Sequence, residues 1–493
     1  MSQNKVVVIG SGFSGLSTAT YLAHHGYDVT VLEKNKTLGG RARQFSAEGF
    51  VFDMGPSWYW MPDVFEKYFN YFGKSTSDYY ELIRLDPSYH VVFGKDDVLK
   101  IPAKLDNFKL MLEEMEKGSA AKLDEFLKQA AYKYEKGIND LVYKPGRSLT
   151  EFMNPKLLFD MFRMDIFSSI YKHVRKYFKN DRIIRLMEFP ILFLGALPEN
   201  TPALYSLMNY ADISLGTWYP KGGMYKIIEG MVKLAEEKGV KFITEQEVTG
   251  VEVISGEGKK VFTTNNSYVA DIVVSSADYE HTDQSILPKQ FRNYSKSYWD
   301  TRVMAPSSLI FYLGIDKRID GLAHHNLFFD RDFGPHAKEI YQTPKWPNDP
   351  LFYVSATSKT DSTVAPEGME NLFILMPVAP GLEDNEEIRE KYYNLIVDRM
   401  EHLLGEEIKS HVIYKRSFAH NDFVSEYHSF KGNAYGLANT LKQTAILKPS
   451  LKNKKIKNFY YAGQLTVPGP GVPPSLISGH VVAKEIMKEH KIA

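Results

Sequence analysis

The sequence contains no cysteine. That excludes a disulfide framework, thiolate metal sites and a cysteine nucleophile, and it suits a reducing compartment. It carries no excess of either charge: 60 Lys and Arg balance 60 Asp and Glu. A net charge of zero argues against a nucleic-acid binder that works by phosphate neutralisation. No apolar run approaches the roughly 18 residues needed to cross a bilayer. Membrane contact is therefore expected to be peripheral and the location cytoplasmic. The first strand-like run begins at residue 6, so no cleavable leader is expected ahead of it. Aromatic side chains, by contrast, are plentiful at 13% of 493 residues, enough to line a long apolar pocket as well as a core. A chain of this length exceeds a single core, so two or three domains are expected.

The chain is organised around its first fifty residues. Residues 6–9 (VVVI) are consecutive apolar residues and read as a buried parallel strand. Gly10, Gly12 and Gly15 follow in G-x-G-x-x-G spacing with Phe13 and Ser14 between them, and residues 16–25 read as a helix. In such a turn the first glycine makes the bend, the second admits a pyrophosphate to the backbone, and the third lets helix and strand pack closely. The helix N-terminus then faces the phosphates. A second strand, 27–32, ends in Glu33, at the spacing of a carboxylate that holds a ribose hydroxyl. Together these predict dinucleotide binding.

Lys34 leads into a second glycine pair, Gly39 and Gly40, then Arg41 and Arg43, then Asp53, Gly55, Pro56 and Ser57. The pair offers another close backbone approach, and the arginines can neutralise phosphate oxygens. A nicotinamide-type unit has no need of this second loop. Here the sequence resembles the glutathione-reductase-type flavoproteins, in particular their amine oxidase and carotenoid desaturase branch. The resemblance implies that the second loop lies along FAD and that residues 58–60, rich in tryptophan, pass near the flavin ring.

Further along, residues 65–72 read as an aromatic-rich helix, 89–93 and 98–101 as short strands, and 105–140 as a long polar helical region. Residues 152–179 interleave bulky apolar side chains with Lys and Arg, a pattern that suits a lipid interface. Residues 189–195 form a short apolar run expected in core or pocket wall. Residues 216–224 (GTWYPKGGM), a helix over 225–237 and strands near 239–243, 248–253, 261–264 and 272–275 come next. In this order they resemble the bacterial-type phytoene desaturases and their carotenoid desaturase relatives, which implies that the Val248 backbone meets adenine. His324 and His325 do not face one way on a strand and lack a third ligand, so no metal is expected; a hydrogen-bonding or pocket-edge role is expected instead. The strand 459–461 runs into Gly463 and Gln464, then into a proline-rich loop over 468–475 with Gly471, Val472 and Pro473, then a helix over 476–486. The resemblance places Gly463 and this loop against the flavin and pyrophosphate. Gln464 stands where many amine oxidases carry an acid, and Pro474 where desaturases often have glycine.

The resemblance covers nearly the whole chain. It implies an α/β fold: a Rossmann-like FAD-binding domain of glutathione-reductase type, an interleaved α+β substrate domain and a helical, membrane-facing subdomain. The expected division is 1–78, 216–284 and 441–493 for the FAD-binding domain, 285–440 for part of the substrate domain, and 79–215 for the helical membrane-facing part. The implied activity is desaturation of an acyclic C40 carotenoid such as phytoene, delivered from the membrane. Alternatives are a later-pathway 1-hydroxycarotenoid 3,4-desaturase and, more remotely, a flavin-free prenyl-lipid carrier of the same fold. No residue is singled out as catalytic. Hydride transfer from an apolar chain is flavin chemistry, so the protein need only bind, orient and exclude water.

Overall fold

In the computed structural model, residues 4–148, 151, 168–194, 197–440 and 443–491 are described. Of the apolar and basic stretch 152–179, residues 152–167 lie outside that set. The rest carries the helix Ile170–Tyr177.

Two sheets frame the molecule. The first is parallel, with five strands in the order Phe459–Tyr461, Ile272–Ser275, Lys5–Ile9, Asp28–Leu32, Lys241–Ile243. Its central strands are buried on both faces, which is why they read as unbroken apolar runs. Strands nearly 450 residues apart in sequence thus share one layer. The helix Phe13–His24 packs on this sheet and against the C-terminal helix Val472–Glu489. The two helices touch along glycine: a Cβ on Gly479 would lie 2.5 Å from the Ser14 carbonyl. The Ser17 and Thr18 hydroxyls donate to the carbonyls of Leu476 and Gly479.

Several boundaries differ from the sequence reading. The first helix begins at Phe13, because the glycine turn is already helical after Gly12. The C-terminal helix begins at Val472, inside the expected loop. Pro473 and Pro474 occupy its first turn, where a missing N–H breaks no helical bond. The expected helix over 105–140 is split into Leu105–Met115 and Ser119–Lys136 by Gly118, at φ +83°.

The second sheet has seven strands, in the order Val412–Phe418, Ser307–Ile315, Glu370–Val378, Phe352–Ser355, His325–Phe328, Tyr89–Gly94, Asp97–Ile101. It is antiparallel apart from the pairing of His325–Phe328 with Tyr89–Gly94. Alternation along its strands divides two cores. Leu309, Phe311, Val354, Ile374 and Met376 face the helix Glu386–Leu404, while Ile310, Leu327, Tyr353 and Leu375 face the parallel-sheet half of the molecule.

Candidate functional site

Between the two sheets lies a cavity of about 400 Å³. The glycine turn forms one end. Gly10, at φ +93°, donates its N–H to the Leu32 carbonyl at 2.8 Å, which ties the turn to the neighbouring strand. Gly12 presents open space: a Cβ there would meet nothing within 4 Å. At Gly15 a Cβ would lie 2.1 Å from the Gly10 carbonyl oxygen. Gly10, Gly12, Phe13 and Ser14 line the cavity, and Gly15 stands behind it as the point of closest packing. No side chain caps the helix that starts at Phe13, so its first N–H groups are available to an anion.

Glu33 closes the second strand and is 4% exposed. One carboxylate oxygen accepts from the Ser11 N–H (3.0 Å) and hydroxyl (2.6 Å). The other accepts from the backbone and side-chain nitrogens of Asn35 (3.0 Å each). Four donors fix the carboxylate at the cavity wall. Lys34 also reaches this wall, but its ammonium donates to the Ser425 carbonyl at 2.6 Å and so fastens the 425–428 segment as a rim. On that rim the His281 and His428 rings stack at 3.9 Å, and burial pulls His281 down to about 4.

Gly39 and Gly40 fold against the first turn. The Gly39 N–H donates to the Ser11 hydroxyl, and a Cβ on Gly40 would lie 3.2 Å from the Gly12 Cα. Arg41 follows. Its guanidinium donates to the Ser429 hydroxyl at 2.5 Å, and with the Gln464 amide oriented to satisfy its neighbours, both terminal nitrogens donate to Gln464 at 3.0 Å. Burial lowers the Arg41 pKa while the Asp278 carboxylate opposes that; burial in turn raises Asp278 against the pull of Arg41. The Arg41 Nε is buried and has no hydrogen-bond partner among the described residues. Arg43 is absent from the cavity wall: it pairs with Glu426 at 2.5 Å and lies over the Tyr427 ring. Asp53 serves the fold, accepting from the N–H groups of Met224 and Tyr225 at the start of the helix Tyr225–Glu237; burial raises it to about 6.

Gly55, Pro56 and Ser57 continue the wall, and so do Val248, Gly463, Gln464, Gly471, Val472 and Pro473, brought from three distant parts of the chain. Of the tryptophan-rich turn, Trp58 and Trp60 line the cavity, whereas Tyr59 stacks on Phe65 and bonds to the Tyr80 hydroxyl. The expected core run is confirmed at Phe189, which packs against both tryptophans. Sequence reasoning missed the opposite wall, where Ile310, Tyr353 and Leu375 project from the seven-stranded sheet. Those strands are buried on both faces, so their inward side carries no separate signal.

An orphaned buried guanidinium nitrogen, an uncapped helix N-terminus, open space over Gly12 and a fixed carboxylate at the strand end fit a phosphate-bearing dinucleotide. The remaining wall, aromatic and aliphatic, fits an apolar partner.

The family model described as flavin containing amine oxidoreductase matches residues 13–487. The chain is 39% identical to a carotenoid 3,4-desaturase of Haloarcula japonica over 99% of both chains. It is 31% identical to a zeta-carotene-forming phytoene desaturase of Myxococcus xanthus, over 98% of this chain and 94% of the other. Among solved structures, an oxidoreductase from Methanosarcina mazei superposes with a TM-score of 0.64 at 17% identity, over 97% of this chain and all of the other.

Proposed function

The chain belongs to the flavin-containing amine oxidoreductase family, among its carotenoid desaturases, and from that premise we propose how the cavity between its sheets is divided. FAD is the cofactor and supplies a two-electron acceptor for a C–H hydrogen when bound. In our reading its pyrophosphate meets the N–H groups at Gly12, Phe13 and Ser14, with Gly39, Gly40 and Arg41 on the other side. Glu33 holds the ribose and Val248 the adenine. Gly55, Pro56, Ser57, Gly463, Gln464, Gly471, Val472 and Pro473 flank the ring system. Residues 1–78, 216–284 and 441–493 form this cofactor half. The substrate half is 285–440, with 79–215 beside it facing the membrane.

The observation that carries this reading is the continuity of the cavity. Its glycine-lined end passes without a partition into a wall of Trp58, Trp60, Ile310, Tyr353 and Leu375. An extended apolar chain can therefore lie against a dinucleotide with water excluded. The substrate is an acyclic C40 carotenoid. The 39% identity to a 3,4-desaturase, against 31% to a phytoene desaturase, favours introduction of a double bond near a chain end. Among the described residues no helix is long and apolar enough to cross a membrane. Such a substrate is dissolved in lipid, so delivery requires the protein to dock peripherally on a bilayer, and the apolar and basic pattern over 152–179 supplies the chemistry for it.

The test is to incubate the flavin-loaded protein with liposomes carrying phytoene or, separately, a 1-hydroxycarotenoid, and to follow polyene absorbance, product mass and co-flotation with the vesicles. Loss of two hydrogens per step with a red-shifted spectrum from the hydroxylated substrate supports 3,4-desaturation. Products from phytoene alone reassign the substrate. Bound flavin without product from either overturns the reading.

A further inference from the structure

Removing two hydrogens from neighbouring carbons leaves an accounting problem that the flavin does not solve. One hydrogen departs with its electron pair, the chemistry FAD supplies. The other departs as a proton and needs an acceptor beside a largely apolar wall. The acidic side chains on the cavity wall are committed elsewhere: Glu33 to Ser11 and Asn35, Asp278 to the helix start at Glu280 and His281, Glu247 to His428 and Glu426 to Arg43. Apart from Ser308, beside Tyr435 of a neighbouring loop, the sheet wall is apolar but for a couple of phenol and imidazole.

That couple is Tyr353 and His325. Leu327 is the register partner of Tyr353, so His325, two residues back on the same strand, lies diagonally across from it on the same face. The Tyr353 phenol oxygen is 2.6 Å from His325 Nδ1, and the Tyr353 side chain lines the cavity. The imidazole stacks on Trp58 at 4.1 Å and 17°, which fixes its plane, and its Nε2 is buried with no hydrogen-bond partner among the described residues. The neighbouring His324 is engaged differently, with its Nδ1 2.8 Å from the Thr360 hydroxyl. Burial holds His325 far below the usual histidine range and Tyr353 well above the usual phenol range, so both are neutral at rest.

Resting on the desaturase reading, we propose that Tyr353 accepts the proton lost by the carotenoid and that His325 positions Tyr353 and relieves it of its own proton. As the substrate C–H bond breaks, its electron pair becomes the new C=C bond. The proton forms an O–H bond at the Tyr353 oxygen, and the original phenolic proton moves to His325 Nδ1, leaving an imidazolium with its existing proton on Nε2. A neutral oxygen suffices, because a carbon chain that has given up a hydride is a very strong acid. Trp58, Trp60 and Tyr353 line the same cavity, so their rings can steady that transient positive charge. An imidazolium in so buried a site is short-lived: as the product leaves, His325 Nδ1 gives its proton back to the Tyr353 oxygen while the phenol passes its other proton to water entering the cavity.

The test compares wild type with Tyr353→Phe and His325→Asn, each loaded with FAD and given a carotenoid that the wild type oxidises. Both variants should keep full flavin absorbance and bind carotenoid with the same spectral shift. The turnover of Tyr353→Phe should fall by about 10²–10⁴-fold. Deuterium at the carbon that loses the proton should slow Tyr353→Phe more than it slows wild type. Nitrogen NMR of the flavin-free protein should show His325 protonated on Nε2, with the Nδ1 resonance shifting in Tyr353→Phe. Unchanged turnover in both variants overturns the assignment, as does loss of carotenoid binding in step with rate, which marks a merely structural couple. Wild type inert toward every carotenoid overturns the desaturase reading and this inference together, whereas active wild type with equally active variants overturns this inference alone.

Discussion

Two glycines three residues apart should fail in different ways when each gains one methyl group. At Gly15 the added carbon would lie 2.1 Å from the Gly10 carbonyl oxygen and 3.0 Å from the Ser276 hydroxyl. The nearer atom is main chain in a turn already anchored to Leu32, so no side-chain rotation relieves the clash. Overpacking of this kind costs typically about 1–3 kcal/mol, and a backbone obstacle puts Gly15→Ala at the upper end. At about 2–4 °C per kcal/mol for a domain of some 200 residues, melting should drop by about 6–12 °C. Gly12 has φ −68° and ψ 175°, a conformation alanine adopts freely, and its Cβ would point into open space. Without flavin, Gly12→Ala should be as stable as wild type or gain about 0.4–1 kcal/mol from a stiffer unfolded chain. Its methyl group would occupy the approach path of the pyrophosphate, so flavin affinity should fall at least about tenfold, the equivalent of about 1.4 kcal/mol. The assay is paired: melting of the flavin-free proteins by circular dichroism, and flavin titration by fluorescence quenching. Stoichiometric, tight flavin in Gly12→Ala would refute the placement of the pyrophosphate. A Gly15→Ala protein melting with wild type would refute the packing argument.

Glu33→Gln should also lose flavin, and in addition destabilise the flavin-free protein by about 1–3 kcal/mol, because an amide cannot accept from all four donors that now surround the carboxylate; the absorbance ratio of the purified protein and its melting curve report both. Asp212 is buried, accepting from the Tyr89 hydroxyl at 2.7 Å and at 3.1 Å from Thr217, which itself accepts from the Trp60 indole, and burial raises it to about 6 from 3.8. A carboxyl raised in the native state contributes stability that is fully present below pH 3.8 and lost as pH rises through 6. Asp212→Asn, which does not titrate, should therefore gain on wild type above pH 6, by up to about 3 kcal/mol, and lose that advantage near pH 4. Melting temperatures that run parallel across this range would contradict it.

The glycine-lined half of the cavity was legible because its constraints are local. A tight turn at Gly10, a strand ending in Glu33 and a glycine pair at 39–40 each leave a mark in a few consecutive residues, and the structure brings them to one cavity. The fold class followed from the same marks. Arg43 reads like Arg41 in the sequence, and only the tertiary position of Glu426 separates the two. Pro473 and Pro474 looked like loop because proline is a helix breaker everywhere but the first turn. The sheet side of the cavity was illegible for a different reason. Ser307–Ile315 and Glu370–Val378 are apolar on both faces, so nothing in their pattern says that Ile310 and Leu375 face a cavity while Leu309 and Ile374 face a helix. His325 could be found in the sequence. Its partner Tyr353, 28 residues on, could not, because their meeting depends on strand register.

The parallel sheet takes its central strand from residues 5–9 and its edge from residues 459–461, and the first helix rests on glycine 479. On a ribosome adding some 5–20 residues each second, the amino-terminal strands emerge well before the segment that completes their layer. For that interval a hydrophobic strand pair and an uncapped helix wait without their neighbours, in a topology of very long-range contacts that folds slowly. Flavin loading is thus an event that follows synthesis. A cell making this protein faster than chaperones can shelter those early strands should accumulate aggregate before it accumulates yellow protein.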